Sequence, residues 1–276
     1  MVAIVMASHR TALSLRLVLL ALGFGLLGLN LFGCFRTMRI ADVRAMRFHA
    51  QDVTLSHGEL LERSPRRPGE ADSAYIVRLT GVVSRGMAHY WGEEVDKYHL
   101  RVPVWENYLL YFGSFIRPDI YRKYEFVRAD KAMERGVGLC SQQAIVLAGL
   151  LQRAGISAGL QALRGHVIVR ATDRSGRVYM ADPDYGVAIP APIAAIERDT
   201  AMVRPYYRRA GVALIEADRI AAIYGREGNR EMTVPQYFPP KVYYAEKAAY
   251  WLKWLLPLLL MIPFLVDLAW RTNARR

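Results

Sequence analysis

A pair of apolar runs, one near each end of the chain, constrains the fold more than any other feature. Leu17–Phe35 is interrupted only by Asn30 and follows His9, Arg10 and Arg16. Ala248–Trp270 carries Trp251, Trp254 and Trp270, with Arg271, Arg275 and Arg276 behind it. Crossing the hydrocarbon core takes about 20 predominantly apolar residues, and tryptophans favour its borders. Both runs therefore read as transmembrane helices, the second kinked at Pro257 and Pro263 and with Lys253 and Asp267 near its ends, where they snorkel. Two spans put both ends on one side. The basic ends favour the cytoplasm for residues 1–16 and 271–276 and place residues 36–247 across the membrane. Arg36, Arg39, Arg44 and Arg47 run against that count, but a long exported segment is largely exempt from it. The alternative is a lipid anchor on Cys34 after cleavage of a signal sequence. Phe32 fits such a site poorly, so the uncleaved helix is preferred.

Between the runs, the 276-residue chain has room for one domain with a sizeable core. Residues 36–71 are basic and poorly periodic, with loop signals at His57–Gly58 and Ser64–Gly69; they read as a connector carrying one strand, Asp52–Leu55. From residue 72 to 247 a single domain is expected. Tyr75, Ile76, Leu79, Val82, Val83 and Met87 share a helical face. Pro103–Phe115 predicts a second, aromatic helix and Ile120–Arg135 a third. After residue 186, Ile193–Met202 predicts a short amphipathic helix. Tyr206–Arg209 and Ile220–Tyr224 carry no clear motif, and Tyr237–Pro240 forms a rigid aromatic entry to the last helix, placed to pack on the headgroup layer.

Gly136–Gly186 holds a cysteine, a histidine and an aspartate in that order. Cys140 follows Gly136 and Gly138 and opens a segment in which Ala144, Leu147, Ala148 and Leu151 share one face. Gly155 ends it as a C′ glycine does. A cysteine in a helix's first turn meets orphan N–H groups and a dipole that favour negative charge, the setting of a reactive thiolate. His166–Arg170 and Arg177–Ala181 read as strands around the turn-rich stretch Thr172–Gly176. A hairpin symmetric about Arg174 sets His166 opposite Asp182 on one face, and one residue of slip would turn one of them away. An Asp beside a His fixes its tautomer and supports the imidazolium that a Cys–His pair needs.

These residues, GVGLCSQQAIVLAGLLQRAGI followed by GHV and ADPDYG, resemble the transglutaminase-like (papain-like) cysteine superfamily over roughly residues 103–190. The resemblance implies an α+β fold, helices followed by an antiparallel sheet, flanked here by two transmembrane helices. It implies Cys140 as nucleophile, His166 as general base and acid, and Asp182 as orienting residue. Asp182 is preferred to Asp184 because it closes its strand. This chain departs from the family in having Ile168 where an aromatic often follows the His. Trp105 and Asn107 lie upstream, where family members supply an oxyanion donor; core packing suits Trp105 better, and the Cys140 backbone N–H is the stronger donor candidate.

The resemblance implies a membrane-anchored enzyme of the bacterial inner membrane, domain in the periplasm, acting on an amide of a peptide or protein by hydrolysis or acyl transfer. The alternative is a catalytically inactive scaffold binding envelope or polysaccharide machinery, with Gly23, Gly25 and Gly28 offering close-packing faces to other membrane proteins. The net charge of +12 comes with no nucleic-acid-binding signature, and a surface near anionic lipid accounts for it. No cofactor is expected, and no metal, since the remaining histidines lack ligand spacing. His89 and His99 with Glu93 and Glu94 read as a surface helix end.

Overall fold

The computed structural model describes residues 2–39, 53–89 and 100–273, with side chains from 13 onward. In chain order the elements are α1 (Val2–Gly33), α2 (His57–Arg63), α3 (Asp72–Gly86), β1 (Ala88–His89), α4 (Tyr108–Ile116), α5 (Pro118–Tyr121), α6 (Ala129–Arg135) and β2 (Val137–Gly138). Then follow α7 (Cys140–Arg153), β3 (Ser157–Leu163), β4 (His166–Thr172), β5 (Val178–Asp182), β6 (Val187–Ile189), α8 (Ile193–Ile196), α9 (Arg204–Arg209), α10 (Leu214–Ile223), β7 (Arg230–Met232), α11 (Val234–Tyr237) and α12 (Pro240–Asn273). Helix and sheet are thus mixed, with a long apolar helix at each end. The chain forms two compact units, one from Met1–Met38, Arg101–Tyr124 and Tyr244–Arg276, the other from Arg39–Leu100 and Glu125–Tyr243.

In the second unit a five-stranded antiparallel sheet runs β6-β5-β4-β3-β7. Helix α7 packs on β3 and β4, and Ala144, Leu147, Ala148 and Leu151 are fully buried, as their spacing predicts. Its C-terminus is a Schellman motif: Gly155, at φ +77°, donates to Gln152 O, and Ile156 N donates to Leu151 O, each at 3.0 Å. On one sheet face Leu163, Ile168, Met180 and Ile189 pack against Ile196, Val203, Tyr207, Ile220 and Tyr224 from the chain after β6. Those nine belong to a cluster of fourteen buried side chains, which is why the stretch after residue 190, poor in motifs, folds back as α8–α10.

Several boundaries differ from expectation, each for a local reason. Residues 53–55 form no strand; Asp52, Arg44 and Arg47, like His99, Glu93 and Glu94, lie outside the described residues. The loop expected at His57–Gly58 is instead the first turn of α2, because Ser56 and Glu59 form a reciprocal capping box. The helix expected over Ile120–Arg135 is split into α5 and α6. Between them the backbone of Phe126 is bonded by a side chain: its N–H donates to Gln142 Oε1 (2.6 Å) and its carbonyl accepts from Gln142 Nε2 (2.8 Å). The helix expected at Ile193–Met202 stops at Ile196, and a 3-10 turn, Thr200–Val203, follows after Asp199 caps it.

In the first unit α1 and α12 are each long and apolar enough to cross a membrane. Leu22, Phe24, Leu31, Leu258, Ile262 and Leu265 stay about half exposed, as lipid-facing side chains would. Helix α12 continues through Pro257 and Pro263. Gly23 makes the close approach expected of a small residue, toward Pro257 O and Met261 of the same chain; among the described residues, no other element comes within 4 Å of where a Cβ would sit at Gly25 or Gly28. Lys253 does not snorkel. It is buried, donating from Nζ to Glu106 O at 2.7 Å, while Tyr250 donates to Glu106 Oε1 at 2.8 Å. Tyr108 OH and Asn30 Nδ2 both donate to the Lys253 carbonyl, and Tyr124 OH donates to buried Glu246. Asp267 pairs with Arg16 and Arg271. These bonds draw Arg101–Tyr124, expected within the sheet domain, into the unit of the apolar helices.

Candidate active site

Cys140 is the first residue of α7, and Leu139 at the N-cap supplies no side-chain bond to the first-turn N–H groups. Two glycines deliver the chain there. Gly136 is the left-handed C-cap of α6 (φ +69°). Gly138 lies in β2, where any Cβ would collide with the Gln142 side chain. Gln142 itself clamps the first turn to Phe126, and Ser141 donates to Glu125, which also accepts from Tyr237 OH at 3.0 Å. Tyr237, expected against the headgroup layer, is thus tied to α7 through Glu125.

The β4–β5 ladder runs Thr172↔Val178 to Val169↔Ala181. That is two residues away from a hairpin centred on Arg174. A shift of two preserves the face, so His166 and Asp182 still point the same way and meet diagonally. His166 Nε2 lies 2.9 Å from Asp182 Oδ2, and His166 also bonds the Cys140 side chain. Nε2 is engaged by Asp182, which leaves Nδ1 as the ring nitrogen available to Cys140. Burial works against charge on His166, but the charge of Asp182, its hydrogen bond, the bond to Cys140 and the charge of Asp184 outweigh that and hold the imidazole pKa well above its ordinary range.

Asp182 is fully buried at the end of β5, where Pro183 stops the strand. Its Oδ1 accepts from Asp184 N at 3.0 Å, an Asx-turn, and its Oδ2 also accepts from Tyr207 OH at 2.7 Å. Tyr207 OH lies 2.7 Å from Tyr224 OH, so a buried Tyr224–Tyr207–Asp182–His166 chain backs the imidazole. Burial, then the charge of Asp182, keeps both phenols neutral. Sequence reasoning missed Tyr207 and Tyr224; the first sits in short α9 and the second caps α10, with no motif to flag them.

The Asp182–Gly186 turn points Asp184 into the same site. Its Oδ2 is 3.9 Å from His166 Nδ1 and 3.5 Å from His89 Nε2. His89 arrives because β1 pairs in parallel with β2, setting it beside Gly138, two residues before Cys140. Donor atoms of His89, Cys140 and Asp184 lie within 4.8 Å of one another, as do those of His166, Asp182 and Asp184. Spacing along the chain could not reveal the first group, since its members come from three separate elements.

The upstream oxyanion candidates have roles inside the other unit. Asn107 is buried and caps α4, its Oδ1 accepting from Leu109 N (3.1 Å) and Leu110 N (3.2 Å). The Trp105 backbone abuts Gly33 at the end of α1. Compared with protein-family models, with curated proteins and with solved structures, the chain matches none of them.

Proposed function

We propose that this chain is a membrane-anchored, transglutaminase-like cysteine enzyme of the bacterial inner membrane, with the sheet-bearing unit in the periplasm, acting on an amide of a peptide or protein. One observation carries the reading: Cys140 at the N-terminus of α7 stands beside His166, whose Nε2 is held at 2.9 Å by buried Asp182.

In this mechanism the Cys140 thiolate adds to the amide carbonyl, forming the S–C bond. The oxyanion is met by the N–H groups at the start of α7. As the C–N bond breaks, His166 Nδ1–H gives its proton to the leaving amine, and an acyl-thioester remains on Cys140. His166, now neutral, takes a proton from water, or from an amine, which attacks the thioester. The S–C bond then breaks to release the acid or new amide, and the thiolate it leaves, with the proton retained on His166, restores the thiolate–imidazolium pair. Asp182 keeps Nε2 protonated throughout, and Tyr207 keeps Asp182 in place.

The test is alkylation of Cys140 by an iodoacetamide-type probe, read by mass spectrometry across pH on the full chain in detergent. Fast alkylation at pH 6–7 that falls steeply in His166→Ala supports the reading. A Cys140 that stays inert, or reacts identically in both proteins, overturns it in favour of a non-catalytic scaffold.

A further inference from the structure

His89 is a third donor beside Cys140, and the acyl-transfer mechanism does not use it. We propose that Cys140 Sγ, His89 and Asp184 form a binding site for a thiophilic divalent cation of the zinc class, whose occupancy withdraws the cysteine from reaction. The donors are a thiolate, an imidazole and a carboxylate, the mixture that zinc takes in proteins. Zinc–sulfur bonds of about 2.3 Å and zinc–nitrogen or zinc–oxygen bonds of about 2.0–2.2 Å put neighbouring donors of a tetrahedron roughly 3.3–3.8 Å apart. His89 Nε2 and Asp184 Oδ2 stand 3.5 Å apart, and all three donor atoms fit within 4.8 Å.

Each donor is on a short, tied support: the β1–β2 pair, the first turn of α7 and the Asx-turn after β5. His89 and Asp184 side chains are only 9 % exposed, while Cys140 is partly open, and three protein ligands leave a fourth position for water. The neighbouring group of His166, Asp182 and Asp184 is a poorer host. Its Asp182 Oδ2 already holds His166 at 2.9 Å and Tyr207 at 2.7 Å.

A metal on Cys140 competes with His166 for the same sulfur, so zinc and alkylating agents exclude each other. The site needs only the cysteine and its two neighbours and stands whether or not the chain turns over a substrate.

The experiment is transfer of zinc from a chromophoric chelator to the reduced full chain in detergent, with cobalt(II) as a spectroscopic substitute. One zinc per chain is expected, together with a near-ultraviolet thiolate-to-cobalt band and protection of Cys140 from iodoacetamide. His89→Gln and Asp184→Asn should each weaken zinc by about tenfold or more, since even outer-shell partners are worth that much. Cys140→Ser should abolish the band, and Cys34→Ser should leave it intact. Zinc binding that ignores His89→Gln and Asp184→Asn, or a cobalt spectrum of the unaltered chain without a thiolate band, overturns the proposal. Alkylation in the absence of metal, compared with His166→Ala, reads the enzyme proposal separately.

Discussion

His166 and Asp182 are not opposite one another in the β4–β5 ladder, yet their side chains meet at 2.9 Å, because position 182 lies beside Ile168 and the contact is diagonal. The same imidazole interacts with the Cys140 side chain. The carboxylate is the largest influence that favours charge on His166, with burial opposing it. Nitrogen-15 NMR of the imidazole should therefore show His166 titrating well above the ordinary value of about 6.5, and Asp182→Asn should move it down. A group whose folded pKa is raised adds stability that is fully present below its unfolded pKa and fades as pH rises through the folded value. The stability gap between wild type and Asp182→Asn should then be widest below about pH 6.5 and shrink at alkaline pH. A His166 resonance unmoved by Asp182→Asn would break this account.

The sequence made the helix of Cys140 legible because its apolar period, glycine stop and position after two glycines all agree. It made the shared face of His166 and Asp182 legible because strand alternation survives an error of two in register, though not of one. It could not reveal Gln142 as the clamp on Phe126, since a side chain replacing backbone partners leaves no periodic trace. The same holds for Tyr207, Tyr224 and His89, whose value lies in contacts with elements far along the chain. Arg101–Tyr124 reads as part of the sheet domain for a related reason: its buried Tyr108, Glu106 and Tyr124 are partnered by α12, and amphipathic spacing does not say which element covers a face.

Tyr207 is the group most open to test behind Asp182 and His166. Its hydroxyl is fully buried between Asp182 and Tyr224. Tyr207→Phe keeps the ring and deletes one donor to a buried carboxylate, a loss of about 1–3 kcal/mol. Thermal or denaturant unfolding of the detergent-solubilised chain should register it, and slower Cys140 alkylation should accompany it as Asp182 loses its anchor. Unchanged stability would mean that the buried phenol contributes nothing to holding Asp182.

The two glycines before Cys140 should fail differently. Gly136→Ala meets a left-handed backbone, φ +69°, at about 1–2 kcal/mol. Gly138→Ala has no such strain but drives a methyl into the Gln142 side chain, an overpacking loss of about 1–3 kcal/mol. Because Gln142 sits in the first turn of α7, Gly138→Ala should also displace Cys140 and slow its alkylation more than Gly136→Ala does at matched stability. Equal slowing in the two variants would contradict the clamp.

Asp72 tests the pH dependence of the sheet-bearing unit away from Cys140, His166 and Asp182. Its carboxylate takes a two-pronged bond from Arg174, Nε at 2.9 Å and Nη2 at 2.8 Å, a third from Arg174 N at 3.0 Å, and another from Arg66. The Arg174 hydrogen bond, against opposing burial, holds the Asp72 carboxyl well below the usual range. A depressed folded pKa gives stability that is present above the unfolded value, about 3.9, and is lost as pH falls toward the folded one. Asp72→Asn should accordingly lower the melting temperature by a constant amount near neutral pH, with the difference closing progressively below about pH 4. Residues 72 and 174 join the start of α3 to the β4–β5 turn, so the loss should appear as faster hydrogen exchange in those two segments first. A difference that persists undiminished in acid would show that packing at position 72, rather than its charge, supports the junction.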